Sequence, residues 1–174
     1  MPDLRYPIGP PVVPESMTSE DRAGFLAAIA ATPARLRAAV AGLDDRRLDT
    51  PYRPGGWTVR QVAHHVADSH LHAYTRSKLA LTEDNPTIKP YDEARWAELS
   101  DSRRPIGGSL GLLDHLHERW VALLSSLAAE SFRRTYFHPE SKRQVTLDGV
   151  VATNAWHGAH HVAHVTELRR REGW

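Results

Sequence analysis

The sequence predicts an all-α fold, a four-helix bundle with long connections. Four long segments repeat apolar residues at helical spacing, and each begins at a serine or threonine suited to cap a helix. No convincing set of alternating strand patterns competes with them. With 174 residues the chain can bury about two-thirds of its unfolded surface, so we predict one domain over residues 1–174.

The first helix follows a proline-rich segment. Residues 1–17 contain five prolines and should form an extended lead-in. Thr18 then offers an N-cap before an acidic first turn, and the helix should run to about Val40. Pro33 should kink this helix or split it in two, and Gly42 is a suitable stop.

The second helix should begin at Trp57 and extend to about Leu81, with Thr58 as N-cap and Gln61 completing a capping box. The connection from Glu83 to Gly108 is rich in proline and glycine and should be mostly irregular, with a possible short helix over 92–99. Long connections of this kind often lie over functional sites.

The third helix should be capped by Ser109, because leucines then recur at helical spacing as far as Leu127. Residues 133–145 should form a short ribbon or loop. Thr146 should cap a fourth helix that runs from Leu147 to about Arg171 and ends in a basic turn, as suits the negative end of a helix dipole.

Composition restricts the possible functions. There is no cysteine, which excludes disulfides and thiolate metal sites, so any metal must be held by nitrogen and oxygen. The formal charge of +1 favours neither nucleic acid nor an anionic membrane as a partner. Because there is neither a signal-peptide core nor an 18-residue apolar run, we expect a cytoplasmic protein.

Histidines occupy one face of the fourth helix. His157, His160, His161 and His164 have the offsets of three, four and seven that place side chains within roughly 100° of arc. In bundles, a pair at i and i+4 can hold one ion together with a ligand from a facing helix. His157 and His161 form such a pair, and either His64 or His65 on the second helix could supply the third ligand.

Other histidines have simpler interpretations, because a lone histidine is usually a surface or satisfied core residue. We expect this of His70, His115 and His117. The cluster lacks the glutamate of the His-Glu-x-x-His protease motif and the glutamate pairs of di-iron bundles, so one ion is expected rather than two.

The chain resembles the DinB superfamily, and specifically its YfiT branch of metal-dependent hydrolases. The resemblance covers nearly the whole chain and rests on the motifs Tyr6-Pro-Ile-Gly9, Thr50-Pro-Tyr-Arg53, Gly55-Gly-Trp-Thr-Val-Arg-Gln-Val62, His64-His65, Ala67-Asp-Ser-His70, Pro90-Tyr-Asp-Glu93, His138-Pro139, Trp156-His157 and Gly173-Trp174.

The resemblance implies that His65, His157 and His161 bind one divalent metal ion per subunit, zinc or alternatively nickel. It also implies the family's bundle fold and a homodimer. His160 and His164 would then orient the ligands or the bound water, or shuttle protons. The catalytic residues and the residues that bind a further cofactor stay unassigned.

Three functions are compatible with such a site. A hydrolase would activate water on the metal to cleave a small-molecule substrate, with Asp68, His160 or His164 managing protons. A thiol S-transferase would bind a low-molecular-weight thiol such as bacillithiol, whose carboxylates would be bound by basic residues near the second helix, Arg53, Arg60, Arg76 or Lys78. A non-catalytic, metal-binding stress protein is the third possibility.

Overall fold

Four long helices dominate the protein. A computed structural model describes residues 3–174, so the first two residues of the predicted domain and lead-in lie outside it. In chain order the elements are α1 (Ser19–Val40), α2 (Asp45–Leu48), α3 (Val59–Thr82), α4 (Glu93–Trp96), α5 (Gly107–Ser125), β1 (Thr135–His138), β2 (Arg143–Thr146) and α6 (Leu147–Glu172). The predicted all-α fold with four long helices is confirmed.

In cross-section the four long helices form a closed arrangement in which each helix packs against two others. Helix α1 packs against α5 and α6, and α3 packs against the same two helices from the opposite side. The first two long helices of the chain are therefore diagonal to each other. This arrangement brings α3 and α6, the two helices with the most histidines, into direct contact.

Three of the four predicted caps are confirmed. Thr18 and Thr58 each complete a capping box, and Thr146 accepts a hydrogen bond from the Gly149 amide. The prediction for Ser109 was wrong, because α5 begins at Gly107 without a side-chain cap. The Ser109 hydroxyl lies within one turn of the start and contacts His64 instead.

Of the two outcomes predicted for Pro33, a kink or a split of the first helix, the split was wrong, since α1 is one uninterrupted helix across this residue. A proline removes one amide donor, and here the carbonyl left without that donor belongs to Ile29. The Ile29 carbonyl oxygen lies 2.7 Å from the Nδ1 atom of His117, which takes the place of the missing amide.

Two of the connections between the long helices pack against each other. The strands β1 and β2 form the predicted ribbon, an antiparallel pair in which Thr135 faces Thr146. The connection after α3 joins this ribbon, because the Ile88 amide donates to the Phe137 carbonyl and the Phe137 amide donates to the Pro86 carbonyl. The short helix α4 confirms the helical prediction for residues 92–99, whereas α2 was not predicted.

The apolar core is divided into two clusters by a polar layer. One cluster contains Leu36, Val66 and Leu113, and the other contains Ile29, Ala73 and Trp120. Between these positions each long helix contributes a polar side chain, namely Thr32 from α1, His70 from α3, His117 from α5 and His161 from α6. The layer of histidines thus crosses the middle of the bundle.

Helix α1 alone among the helices of residues 3–174 is long and apolar enough to cross a membrane by length and composition. The same description fits the core helix of a globular bundle. Here α1 buries Ile29, Leu36 and Val40 against its neighbours.

Candidate metal centre

Three histidines from α3 and α6 converge at one point. A possible ligand nitrogen of each of His65, His157 and His161 lies within 4.8 Å of the others. The Nε2 atoms of His65 and His157 are 3.2 Å apart. Two nitrogens bound to one tetrahedral ion at about 2.0–2.1 Å are roughly 3.3 Å apart, so this pair already has the spacing that an ion requires.

The surroundings of the three rings favour neutral imidazole, which is the form that binds metal. His161 is buried, and His65 and His157 are partly accessible. Desolvation lowers the pKa of His65 to about 4, and it holds the pKa values of His157 and His161 well below the usual value of 6.5. The buried Nδ1 atom of His161 has no hydrogen-bond partner in the part of the chain that the structure describes. The donor set therefore fits a divalent ion such as zinc.

His64 is turned away from this site, as the 100° step between neighbouring helical residues requires. Its Nδ1 atom is 2.7 Å from the Ser109 hydroxyl and its Nε2 atom is 3.0 Å from the Arg104 carbonyl oxygen. Both ring nitrogens are thus occupied within the protein. Of the two neighbouring histidines, the structure brings His65, and not His64, together with His157 and His161.

A chain of hydrogen bonds leads from the site into the core. The Nδ1 atom of His157 is 3.1 Å from Nε2 of His70, and Nδ1 of His70 is 2.8 Å from Nε2 of His117. His117 then contacts the Ile29 carbonyl. His70 and His117 are satisfied core residues, as expected. Helical spacing could not predict the chain of bonds that joins them to His157, because the bonded residues are 47 and 87 positions apart.

His160 and His164 do not form hydrogen bonds to the three converging histidines within residues 3–174. The ring of His160 stacks on Trp156 with the ring centroids 4.3 Å apart. His164 stacks on Tyr52, and its Nε2 atom contacts the Arg5 carbonyl oxygen at 3.2 Å. His164 therefore holds the lead-in segment, whereas His160 lines the cavity beside the site.

The converging histidines form one wall of a cavity of about 540 Å³, which is large enough for a small molecule. The lead-in, the loop before α3, the connection after α3 and the ribbon supply the other walls. The cavity is lined by the residues Arg5, Tyr6, Tyr52, Arg53, Trp57, His65, Ser69, Arg76, Pro90, Tyr91, Glu93, His138, Glu140, Trp156, His157, His160 and His161. Neither Glu93 nor Glu140 was predicted to lie at the site, because the helix pattern does not indicate where the connections that carry them pack.

The basic residues considered for ligand binding separate into two groups. Arg60 is engaged by the carboxylates of Asp45 and Asp49, and Lys78 lies over the Tyr74 ring, so neither lines the cavity. Arg53 and Arg76 do line it. Each donates to one backbone carbonyl, of Pro54 and Lys89 respectively, and has a buried Nε atom that finds no partner among residues 3–174.

Asp68, which was a candidate for handling protons, is not among the cavity-lining residues. It is four positions after His64 and therefore shares the face of α3 that points away from the site. Desolvation and the neighbouring Asp101 raise its pKa. The proposed role of Asp68 in proton transfer is not supported.

Comparison with known proteins identifies the family. A model of the DinB superfamily matches residues 28–165. The "Putative metal-dependent hydrolase YfiT" of Bacillus subtilis is 49% identical over 173 residues, which are 99% of this chain and 97% of that protein. A protein of Bacillus cereus (strain B4264) that is also described as a "Putative metal-dependent hydrolase" is 52% identical over 174 residues, which are 100% of this chain and 100% of that protein.

The solved structure of YfiT, described as having an unusual four-helix bundle topology, superposes with a TM-score of 0.96 at 49% identity over 98% of both chains. This chain and its relatives agree in sequence over the full length and in the arrangement of the helices, and both agreements indicate the same family. The chain belongs to the DinB superfamily.

Proposed function

We propose that this protein is a metal-dependent hydrolase in which His65, His157 and His161 hold one divalent ion per subunit. One observation carries the proposal: three neutral imidazoles converge at the wall of a cavity large enough for a small substrate. The descriptions of the Bacillus subtilis and Bacillus cereus relatives as metal-dependent hydrolases support it.

When bound, the ion supplies Lewis acidity and lowers the pKa of a water molecule toward 7. The protein supplies position and proton handling. His160 lines the cavity and its pKa is lowered by desolvation, so its ring is neutral near pH 7 and can accept a proton. Trp156 holds that ring by stacking.

Zinc is the metal that we propose, with nickel as the alternative. Imidazole nitrogen suits both ions, and three protein ligands with one open position are typical of catalytic zinc sites. Metal analysis of purified protein tests the ligand set. We expect His65→Ala, His157→Ala and His161→Ala each to lose the metal.

His64→Ala is the matched control, because His64 is the neighbouring histidine with both nitrogens engaged elsewhere. It should retain a full equivalent of metal. Equal metal content in all four variants would contradict the ligand assignment.

Hydrolysis itself is tested with a panel of small nitrophenyl esters and anilides. The zinc-loaded protein should cleave at least one of them, a chelator should abolish the activity, and added zinc should restore it. His157→Ala should be inactive under all three conditions. Activity that survives in that variant would refute a role for this site.

Transfer of a low-molecular-weight thiol is a second candidate, and the two cavity arginines favour it. Arg53 and Arg76 form no ion pair within residues 3–174, and a carboxylate-bearing ligand would provide acceptors for them. Calorimetric titration of the zinc-loaded protein with bacillithiol, mycothiol and glutathione distinguishes the candidates, with His157→Ala as the metal-free control. Binding that requires the metal would support thiol transfer over hydrolysis.

A non-catalytic metal-binding role is the weakest of the three alternatives, because a structural ion is normally enclosed by four protein ligands rather than open to a cavity. From the family resemblance we propose in addition a homodimer, and from composition a cytoplasmic protein. Analytical ultracentrifugation tests the first of these proposals.

A further inference from the structure

The histidine chain behind the candidate metal centre has a direction that chemistry determines. It begins at the Ile29 carbonyl, which lies in the interior of α1. A carbonyl oxygen can only accept a hydrogen bond. The fourth residue onward is Pro33, which has no N–H to donate, so this carbonyl is available to a side chain.

Each bond in the chain then determines the next. His117 must carry its proton on Nδ1 to donate to Ile29, at a distance of 2.7 Å. A neutral imidazole has one donor and one acceptor, so Nε2 of His117 accepts and Nδ1 of His70 must donate to it. By the same rule Nε2 of His70 is an acceptor.

The last bond of the chain reaches a residue of the candidate metal centre. His70 accepts at Nε2, and the atom 3.1 Å away is Nδ1 of His157, which must therefore carry the proton. The unprotonated nitrogen of His157 is then Nε2, the atom that faces Nε2 of His65 at 3.2 Å. We infer that His70 and His117 are positioning residues that fix His157 in the Nδ1–H tautomer and so present its Nε2 lone pair for metal binding.

The burial of the two hydrogen-bonded histidines, His70 and His117, supports this inference. His70 is fully buried and His117 is 2% exposed, so water does not compete for their nitrogens. Their rings lie end to end with an angle of 22° between the ring planes and centroids 4.9 Å apart, as an in-plane hydrogen bond requires, and the centroid of each ring is 5.9 Å from that of Trp120. A ring held by packing and by both nitrogens cannot rotate to offer the opposite tautomer without leaving a buried polar atom unpaired.

This inference rests on the proposed metal site for its consequence but not for its first test. In metal-free protein labelled with nitrogen-15 in histidine, long-range proton–nitrogen spectra at pH 7.5 report which nitrogen of each ring is protonated. We expect His157, His70 and His117 all to carry the proton on Nδ1. A proton on Nε2 of His157 would overturn the inference whatever the function of the protein.

The second test is zinc affinity, measured by competition with a chromophoric chelator. His70→Leu removes the acceptor for His157, and loss of such a partner behind a metal-bound histidine typically weakens binding about 10- to 100-fold. His70→Gln offers a carbonyl oxygen toward His157 and an amide donor toward His117, so it should restore most of the affinity.

Leu124→Ala is the control for loss of stability alone. Leu124 is buried in the same apolar cluster as Trp120 and has no hydrogen-bonding side-chain group, so zinc affinity should be unchanged. If wild-type protein binds zinc and His70→Leu binds it equally tightly, the positioning role is wrong. If wild-type protein binds no zinc, the proposed function fails, while the tautomer measurement still decides the inference. Should His70→Leu not fold, that measurement and the His70→Gln affinity decide it.

Discussion

Gly158 provides the sharpest test of how α1 and α6 fit together at the metal centre. It lies directly after His157, on the face of α6 that packs against α1. A Cβ atom added at this position would lie 2.7 Å from Cγ2 and 3.1 Å from Cβ of Thr32, and closer still to Oγ1. Carbon atoms normally pack at about 3.5–4.0 Å, so the overlap approaches 1 Å.

Thr32 cannot move aside easily. Its side chain is buried and β-branched, and its hydroxyl donates to the Ala28 carbonyl at 3.0 Å. The helices would have to separate, which typically costs about 1–3 kcal/mol, against a gain of about 1 kcal/mol from replacing a helical glycine with alanine. We therefore expect Gly158→Ala to lower the free energy of unfolding by up to about 2 kcal/mol.

Urea unfolding of the metal-free protein at pH 7 measures this change. Gly111→Ala is the matched control, because Gly111 lies in α5 and a Cβ atom there meets nothing within 4 Å. It should stabilise the protein by up to about 1 kcal/mol. Stabilisation of similar size by Gly158→Ala would refute the close packing of the two helices.

A double-mutant cycle with Thr32→Ala tests whether contact with Thr32 causes the loss of stability in Gly158→Ala. The smaller side chain removes the two atoms in closest conflict, so Gly158→Ala should destabilise the Thr32→Ala background much less than the wild type. A coupling free energy of about 0.5–3 kcal/mol is expected for residues in contact. Additive effects would show that the cost arises elsewhere.

Three further results are expected. As pH falls from 7 to 5, the metal-free protein should lose about 2 kcal/mol of stability for each of His65 and His164. The folded protein holds the pKa of each ring at about 4, so below pH 6.5 protons bind preferentially to the unfolded chain. Unchanged midpoints of urea unfolding would contradict this. Trp156→Phe removes a 3.0 Å hydrogen bond to the Gly9 carbonyl and should cost about 1 kcal/mol, with faster proteolysis of the lead-in as the observable; an unchanged cleavage rate would argue against this contact. Zinc at 100 times its dissociation constant should stabilise the protein by about 2.7 kcal/mol, and a chelator should reverse the shift in Tm.

Local signals in the sequence were sufficient for the helices. A cap and its partner three residues later interact within one turn, so Thr58 with Gln61 could be identified without any tertiary information. The start of α5 was misplaced because Ser109 has the residue type of a cap but its hydroxyl is used by His64, on another helix. A residue type alone does not indicate which of two partners it will meet.

The candidate site likewise contains some residues that local sequence predicts and others that only tertiary contacts bring together. The spacing of His157 and His161 predicts that they share a helix face, and the family resemblance selects His65. The relation of His70 to His157 could not be predicted, because the two are 87 positions apart and their contact depends on the rotation and height of two packed helices. The same is true of Arg53 and Arg76, because only the three-dimensional structure shows that no carboxylate in the described part of the chain pairs with them.

The sequence by itself determined the four helices, the apolar faces that assemble them and the presence of a histidine face without cysteine or glutamate ligands. These properties follow from interactions within a few residues of each other, which periodicity and capping record directly. Tertiary structure decided that the Ile29 carbonyl, unpartnered because of Pro33, receives His117, and that two buried histidines connect it to His157. Hydrogen bonds of this kind form only after helices from distant parts of the chain have packed, because their geometry is set by the packing and not by spacing along the chain.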